Sequence, residues 1–434
     1  MRDRSSILAP ALFLALSLAL IAAAFPLVSA GDAGPEPPGL EPVTLFIAPD
    51  LHYLSPSLTD GGAYFRSVTE NADGKMTAYS AGLLEALVRK AEAERPDALI
   101  LPGDLTFNGE EASHRELAAA LQRVEAAGVS VYVLPGNHDL DNPLAAVFSG
   151  GGSEPAGSVS ADGFREIYSA FGYDGSTARD GASLSYCAQI APGLRLLMID
   201  ANSGLSPGSV PDSTLVWAAR QLRDAAESGE WAVAVSHQSL IGHNSLLTDG
   251  YVMGGAGGLL ALYEDSNVIC SLSGHIHMQH IARSEAGFYD IATSSLAVNP
   301  NQIGVLRLSG YTAEYSAEPL DVSAWARESG SDDPALLDFS AASREFFIES
   351  SRRQALAELG DDKDAGELAD FFAEVNAAYF AGRMDPAVWD ARLFGMWRER
   401  GGFIAAYLGS IADGGFSDQT SARFEFGGEA HDAP

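Results

Sequence analysis

Short apolar segments with the composition of buried β-strands alternate with amphipathic helical segments through much of this 434-residue chain. The clearest strand segments are VTLFIAPDLH, DALILPGDL, VSVYVLPGNHD, WAVAVSHQ and NVICSLSGHIH. Helical periodicity fills stretches between them, at residues 78–94, 114–127, 213–228 and 257–265. Because each helix carries the chain back across the sheet, such alternation predicts a layered α/β domain with a largely parallel core.

The pattern changes near residue 320, after which helical periodicity alone continues. The spacing is clearest for five apolar residues, Leu368, Phe371, Phe372, Val375 and Tyr379. We interpret them as a helix face packed in a core rather than as a ligand site. The sequence therefore predicts an α/β domain at residues 43–320 and a helical C-terminal region at residues 321–434. The last residues, GGEAHDAP, have the composition of a frayed tail, which includes His431.

The first thirty residues combine a short basic start, an apolar run and a small-x-small site at Val28-Ser29-Ala30. This pattern is typical of a secretory signal that is cleaved after Ala30. The uncharged run that begins at Ile7 is also long enough to span a bilayer, so an uncleaved membrane anchor is the alternative. In both cases we expect an exported domain that is secreted, periplasmic or at the cell surface, preceded by a Pro- and Gly-rich linker at residues 31–42.

The formal net charge of −32 bears on the partners of the protein. Such an acidic chain repels phosphate backbones, so we expect no binding of long nucleic acids. Membrane contact is expected only if the N-terminal segment stays uncleaved, and the sequence carries no signal for a particular oligomeric state.

Cys187 and Cys270 are the only cysteines of the chain. Both lie in strand-like segments, where small buried thiols are common. Two cysteines do not form a disulfide framework, although an exported protein can pair them. The sequence alone leaves both alternatives open, a disulfide bond and two free thiols.

Each predicted strand ends in side chains that can bind a metal ion. They are Asp50, His52, Asp104, Asn137, His237, His275 and His277. In open α/β sheets ligands bind in the crevice outside the carboxyl ends of the strands, so we expect all seven to meet there. Imidazole and carboxylate ligands suit Zn, Mn or Fe rather than Ca, and seven ligands exceed the needs of one tetrahedral ion. The set therefore fits two divalent ions that share a bridging carboxylate.

In chain order these residues form the motifs D-x-H, G-D, G-N-H-D, H and G-H-x-H. Together the motifs resemble those of the calcineurin-like metallophosphoesterases, and they span residues 50–277, about half of the chain. The segments DLHYLSPSLTD, LPGDLTFNGEEASH and LPGNHD are similar to exported bacterial members related to class III cyclic-nucleotide phosphodiesterases. The resemblance implies a four-layered α/β/β/α sandwich, with the helical C-terminal region packed against it.

The resemblance also implies how the ligands are shared. One ion would be held by Asp50, His52 and His277, the other by Asn137, His237 and His275, and Asp104 would bridge them. The implied activity is hydrolysis of small phosphate esters by a hydroxide held between two divalent ions. A catalytically inactive binding scaffold is the rival interpretation, but such scaffolds usually lack one or more ligands, and here none is missing.

Two residues of the G-N-H-D motif have implied roles outside the ligand set. His138 would face the phosphate and protonate or stabilise the leaving oxygen. Asp139 either orients His138 or caps an ordinary turn. His114 and His280 lie outside the motifs, and we expect both to be structural.

Three more residues are candidates for substrate binding. His243 follows His237 by six residues. Arg66 and Lys75 lie in the long segment after the first strand. The alternative interpretation of that segment is a solvated lid without a role in binding. The motif loops contain almost no other basic residue, whereas a dianionic monoester usually requires an Arg or Lys clamp. We therefore expect a preference for small diesters, cyclic nucleotides included, with phosphomonoesterase or 5′-nucleotidase activity as the alternative.

Overall fold

The computed structural model describes residues 37–71 and 73–427. The predicted signal or anchor segment, residues 31–36 of the linker and the tail with His431 lie outside the described residues. Within the described ranges, no helix is both long and apolar enough to cross a membrane.

The β-strands are numbered in chain order. They are β1 (Leu40–Ile47), β2 (Ala98–Pro102), β3 (Ser130–Leu134), β4 (Ala146–Ser149), β5 (Gly152–Pro155), β6 (Ala178–Arg179), β7 (Tyr186–Ala191), β8 (Leu194–Ile199), β9 (Trp231–Ser236), β10 (Val268–Ser273), β11 (His280–Arg283), β12 (Tyr289–Ala292), β13 (Gln302–Gly310), β14 (Thr312–Pro319) and β15 (Ser421–Glu425).

The helices follow the same order. They are α1 (Ala63–Glu70), α2 (Ser80–Glu94), α3 (Glu111–Ala126), α4 (Ala161–Ile167), α5 (Asp212–Glu227), α6 (Ala256–Glu264), α7 (Val322–Glu328), α8 (Pro334–Leu337), α9 (Phe339–Leu359), α10 (Ala365–Phe380), α11 (Ala391–Arg400) and α12 (Gly402–Gly414). Short 3₁₀ turns occur at Pro56–Leu58, Thr77–Tyr79 and Pro386–Val388, and a kinked π-type turn at Ser169–Tyr173.

Two mixed β-sheets form the centre of the molecule. The first has the order β15-β14-β13-β1-β2-β3, and the second the order β11-β12-β10-β9-β8-β7-β6. The pairs β1–β2 and β2–β3 are parallel, as are β8–β9, β9–β10 and β10–β12. The remaining pairs of both sheets are antiparallel. The predicted parallel core is therefore present within each sheet, alongside antiparallel strands.

The burial of alternate residues shows how the layers stack. Leu196 and Met198 of β8 belong to the apolar core that also contains the inner face of the first sheet. Their neighbours Leu197 and Ile199 belong to a second core with α5 and α6. Since successive side chains of a strand point to opposite faces, the second sheet lies between these two cores. Leucines of α2 and α3 cover the outer face of the first sheet, which confirms the four-layered α/β/β/α sandwich.

The C-terminal region packs around a core of its own. Leu368 and Val375 of α10, Trp397 of α11 and Leu408 of α12 are fully buried in this core. Asp385 caps a short 3₁₀ turn in this region, where its carboxylate accepts the Ala387 N–H at 2.8 Å. The helical C-terminal region is thus confirmed.

The prediction that the C-terminal region contains helices only is wrong for β15. This strand pairs antiparallel with β14, with Thr312 opposite Glu425 and Ser316 opposite Ser421. Phe424 is buried and stacks on Tyr289, with ring centroids 4.0 Å apart. Five residues carry little periodicity, and the edge of a sheet formed much earlier in the chain supplies their backbone partners.

Cys187 and Cys270 are both free, buried thiols. Cys187 packs in the core beside α5 and α6, whereas Cys270 packs in the core between the two sheets. The second sheet itself separates them, so the two residues form no disulfide.

Candidate metal centre

The loops that follow β1, β2, β3, β9 and β10 bring the predicted metal ligands together. Six of the seven form two groups, within each of which the potential ligand atoms all lie within 4.8 Å of one another. One group is Asp50, His52, Asp104 and His277, and the other is Asp104, His237 and His275. The seventh residue, Asn137, places its Oδ1 3.0 Å from the Nε2 of His237.

Asp104 belongs to both groups because its two oxygens face different sides. Its Oδ1 lies 3.3 Å from the Nε2 of His237, and its Oδ2 lies 3.7 Å from the Nε2 of His52. The carboxylate is almost completely buried. Asp104 would therefore contact an ion in either group, and the two groups contain the residues that the resemblance assigned to each ion, apart from Asn137.

The contacts of the imidazoles test whether these residues fit metal ions. The Nδ1 of His237 donates to the Pro102 carbonyl at 2.9 Å, which leaves its Nε2 facing Asp104 Oδ1 and, at 3.2 Å, the Nδ1 of His275. The Nε2 of His275 donates to the Gly250 carbonyl at 2.8 Å, so its Nδ1 also carries a lone pair.

The other group shows the same crowding, because the Nε2 atoms of His52 and His277 lie 3.1 Å apart. Lone pairs and carboxylate oxygens at these distances repel one another unless positive charge lies among them. The donor set therefore fits a dinuclear metal site.

Burial and mutual repulsion shape the protonation of the site. Burial raises the pKa of Asp50 to about 8, and the nearby Asp104 carboxylate acts in the same direction against the opposing effect of His237. Burial also acts to raise the pKa of Asp104, but His237 and the hydrogen bond it makes hold that pKa well below its usual value. Burial lowers the pKa of His275 to about 4, and it acts in the same direction on His237, but the Asp104 and Asp50 carboxylates raise the pKa of His237 to about 9. A metal ion that binds His237 would therefore displace a proton.

The backbone is strained at most of the ligands. Five of the seven have a positive φ, namely Asp50 (53°), His52 (46°), Asp104 (48°), His275 (66°) and His277 (62°). A non-glycine residue in the left-handed region costs about 1–3 kcal/mol, and such residues cluster at functional sites. Two motif glycines permit the close approach of the loops: a Cβ on Gly136 would lie 2.1 Å from Asp104 Oδ1, and one on Gly274 would lie 2.5 Å from Asp50 Oδ2.

His138 lies beside the ligands and is partly exposed to the cleft. Its Nδ1 donates to the Phe107 carbonyl at 2.8 Å and lies 3.2 Å from Asn108 Oδ1. Its Nε2 lies 3.9 Å from Asp104 Oδ2. The ring is therefore held by its Nδ1, and its Nε2 is the atom near the site of reaction.

Asp139 contacts the loop after β2 and not the His138 ring. Its fully buried carboxylate accepts the N–H groups of Leu105, Thr106 and Gly136 at 2.8–3.0 Å, and the Thr106 hydroxyl at 2.8 Å. Of the two predicted roles, the turn-capping one is observed, and the direct orientation of His138 is wrong. The Phe107 carbonyl, and not the Asp139 carboxylate, accepts the hydrogen bond that orients the His138 ring.

His243 does not face the substrate, so that prediction is wrong. Its side chain is fully buried, with Nδ1 3.0 Å from the Nδ1 of His280 and Nε2 3.4 Å from Asp290 Oδ2. The backbone N–H groups of Leu240 and Ile241 donate to the same Asp290 oxygen at 2.9 and 2.8 Å. This carboxylate holds the part of the loop around Leu240 and Ile241 against β12, and His243 with it. His280 keeps the structural role expected for it.

The two basic candidates lie in different places. Arg66 lies on α1 with an exposed side chain that donates to the Gly61 carbonyl, and it is not among the residues of the cleft, so its predicted role is wrong. Lys75 is buried in the wall of the cleft. Burial lowers the pKa values of His52 and His277, and the charge of Lys75 lowers both further, which places that charge close to the ligands.

The cleft next to the ligands has a volume of about 470 Å³. Its far wall comes from the C-terminal helices, through Phe347, Gln354 and Glu358 of α9, Phe372 and Asn376 of α10, and Phe403 and Tyr407 of α12. None of these residues was predicted to line a site, and Phe372 was assigned to a core alone. No motif marks them; the nearest signal is a phenylalanine after two glycines at the start of α12.

Comparison with known proteins agrees with this geometry. Residues 44–279 match a family model described as calcineurin-like phosphoesterase. Residues 321–418 match a model described as the C-terminal domain of cyclic nucleotide phosphodiesterase. A probable cyclic nucleotide phosphodiesterase from Ruthia magnifica subsp. Calyptogena magnifica is 38% identical over 66 residues, which are 15% of this chain and 27% of that protein. The match thus spans about a quarter of the relative's length.

Solved structures with similar folds include two phosphatases. A dimetal phosphatase from Danio rerio is 17% identical with a TM-score of 0.44, over 63% of this chain and 95% of that one. A purple acid phosphatase from yellow lupin is 12% identical with a TM-score of 0.42, over 66% and 53% of the two chains. Since the first family model covers just over half of the chain, the protein belongs to the calcineurin-like phosphoesterase family, and its His/Asp cluster is suited to a dinuclear metal site.

Proposed function

We propose that this protein is an exported phosphodiesterase that hydrolyses small diesters, cyclic nucleotides included, with two divalent ions chosen from Mn, Fe and Zn. One observation carries the proposal: the ligand cluster opens into a cleft whose far wall is the region that matches the C-terminal domain of cyclic nucleotide phosphodiesterase. Two bound divalent ions would polarise the phosphate and activate the attacking water.

The protein's own residues position the remaining chemistry. Asp50, His52 and His277 would hold one ion, Asn137, His237 and His275 the other, and Asp104 both. The hydrogen bond from His138 Nδ1 to the Phe107 carbonyl fixes the ring. When protonated, His138 Nε2 can then donate its proton to the departing oxygen of the ester.

The charges of the cleft favour a substrate with one negative charge. Among the described residues, the charged side chains of the wall outside the ligand set are Lys75, Asp73 and Glu358, which are one cation and two carboxylates. Lys75, one of the predicted candidates for substrate binding, lies in this wall, but two carboxylates stand against its one positive charge. A dianionic monoester therefore meets more repulsion than a monoanionic diester.

A hydrolysis panel tests this preference. Protein reconstituted with Mn, Zn or Fe would be assayed with bis-p-nitrophenyl phosphate against p-nitrophenyl phosphate, and with 3′,5′-cyclic AMP against 5′-AMP. We expect kcat/KM to be at least about tenfold higher for the diesters, which corresponds to about 1.4 kcal/mol of transition-state stabilisation.

The salt dependence of the rates and the Lys75→Gln variant distinguish a diester preference from a monoester preference. High salt screens long-range repulsion from the acidic surface but not a buried contact. A tenfold monoester preference that persists at high salt, and that Lys75→Gln abolishes, would contradict the proposal and identify Lys75 as a phosphate clamp.

Export is proposed from the composition of residues 1–30. Expression from the natural start codon should yield protein in the exported fraction whose N-terminus, read by mass spectrometry, begins at Gly31. Exported protein that retains Met1 would indicate the anchor, and protein with Met1 that stays in the cytoplasm would contradict export.

A further inference from the structure

The wall opposite the metal ligands has the chemistry of a binding surface for a planar ring. Phe403 is 60% exposed, although most large apolar side chains of the described chain are buried. It lies at the second position of α12, in the lining of the cleft. An exposed phenylalanine that lines a cleft beside a hydrolytic site has a face available for a ligand.

Phe403 has a rigid support behind it. Its ring is nearly parallel to that of Tyr407, with an interplanar angle of 7° and centroids 6.2 Å apart. Tyr407 is buried, and its hydroxyl donates to Asn376 Oδ1 at 3.0 Å. Asn376 in turn donates to the Ser351 hydroxyl at 3.0 Å. These contacts hold the Tyr407 ring, against which Phe403 lies, before any ligand arrives.

Gln354 adds a free amide to the same wall. Its side chain is exposed to the cleft and has no hydrogen-bond partner within residues 37–71 and 73–427. Gln354 and Glu358 are four residues apart and therefore lie on one face of α9. The Glu358 carboxylate accepts the N–H of Ile404, the residue after Phe403, at 3.1 Å. The free amide thus lies one helical turn from the contact that joins α9 to the aromatic pair.

We propose that Phe403, backed by Tyr407, stacks on the base of a nucleotide substrate and that Gln354 hydrogen-bonds to the edge of that base. The inference rests on the proposed phosphodiesterase function and narrows its substrates to nucleoside phosphodiesters. The phosphate would lie at the metal ligands and the base at the helical wall, within one cavity. The volume of about 470 Å³ suits a ligand of this size, since small-molecule sites usually measure about 300–1,000 Å³.

Substitution of Phe403 tests the stacking. Phe403→Leu keeps an apolar side chain and removes the ring, so KM for 3′,5′-cyclic AMP should rise at least about fivefold, because stacking on a base contributes at least that much to binding. kcat should stay near the wild-type value because the ligands and His138 are untouched. Phe403→Tyr restores a ring and should restore the wild-type KM. For glycerophosphoglycerol, a diester with neither a ring nor a cation that could bind an aromatic face, all three proteins should have the same kcat/KM.

Substitution of Gln354 tests the recognition of the base edge. Gln354→Ala should change the ratio of KM values for cyclic AMP and cyclic GMP, because the two bases present different donors and acceptors. Gln354→Glu keeps the size of the side chain but removes its donor, so it should change the ratio in a base-dependent manner. An unchanged ratio in both variants would contradict the role of Gln354.

The outcomes of these experiments distinguish a failure of this inference from a failure of the proposed phosphodiesterase function on which it rests. If the wild-type protein cleaves no diester at all, the proposed function fails. If it cleaves cyclic AMP and glycerophosphoglycerol, and Phe403→Leu changes neither KM, only the base-binding inference fails. An equal rise of KM for both substrates would also overturn it, because that result indicates a distorted cleft rather than a lost stack.

Discussion

Asp104→Ala should lower kcat/KM for any phosphodiester by at least about 10³-fold, equivalent to about 4 kcal/mol of transition-state stabilisation. The reason is geometric, since the two carboxylate oxygens face two different ligand groups. Within the described part of the chain, no other residue belongs to both groups. Asp104→Asn keeps the shape but retains only one oxygen, so it should weaken the binding of one ion more than that of the other.

Metal content and thermal stability provide the measurements for this variant besides activity. Metal analysis should show about two ions for the wild-type protein and fewer for Asp104→Ala. An ion that binds only the folded protein raises its melting temperature, so the variant should lose most of the rise that added Mn causes in the wild type. Asp162→Asn, which removes an exposed carboxylate that pairs with Arg165, is the matched control and should behave as the wild type. Full metal content with full activity in Asp104→Ala would rule out the bridging role.

His138→Ala should keep both ions and lower kcat by about 10²–10⁴-fold, the range usual for general acid–base catalysis. The ring lies outside the ligand groups, and its Nδ1 is engaged with the Phe107 carbonyl. Its Nε2 is therefore the proton donor available to a leaving oxygen. We expect the effect to depend on the substrate, because an alkoxide needs a proton when it leaves, whereas p-nitrophenolate needs much less assistance.

Comparison of two substrates distinguishes the acid role from simple positioning. The loss of kcat in His138→Ala should be much larger for 3′,5′-cyclic AMP than for bis-p-nitrophenyl phosphate. Equal losses for both substrates would indicate that His138 only stabilises the phosphate. Loss of metal comparable to that of Asp104→Ala would show instead that His138 is a structural part of the ligand set.

The metal ligands were predictable from sequence because two local properties define them. Each is an imidazole, carboxylate or amide at the end of a strand segment, and the carboxyl ends of parallel strands meet at one edge of a sheet. His277 illustrates this, since it follows β10 and yet belongs to one group with Asp50 and His52, which follow β1. The strained φ angles of five ligands were not predictable, because the surrounding loops impose them.

The positions of residues outside the motifs depend on contacts with other parts of the chain, and their spacing in the sequence does not reveal these contacts. Asp290, nearly fifty residues further along the chain, decides that His243 turns away from the cleft. The N–H groups of the loop after β2 decide that Asp139 is structural. Lys75 and Arg66 lie nine residues apart in one segment, yet only Lys75 lies in the cleft.

A resemblance to the calcineurin-like phosphoesterases implied the four-layered sandwich and the class of reaction. By itself, the sequence determined the layered α/β domain and the candidate metal ligands at the ends of its strands. These depend on the identity of single residues and on the periodicity of single elements, both of which are local properties. Only the tertiary structure decided that β15 completes the first sheet and that α9, α10 and α12 form the far wall of the cleft. In the sequence, the residues of that wall are far from Asp104. The position of the wall follows from packing between distant segments, and no periodicity or motif encodes such packing.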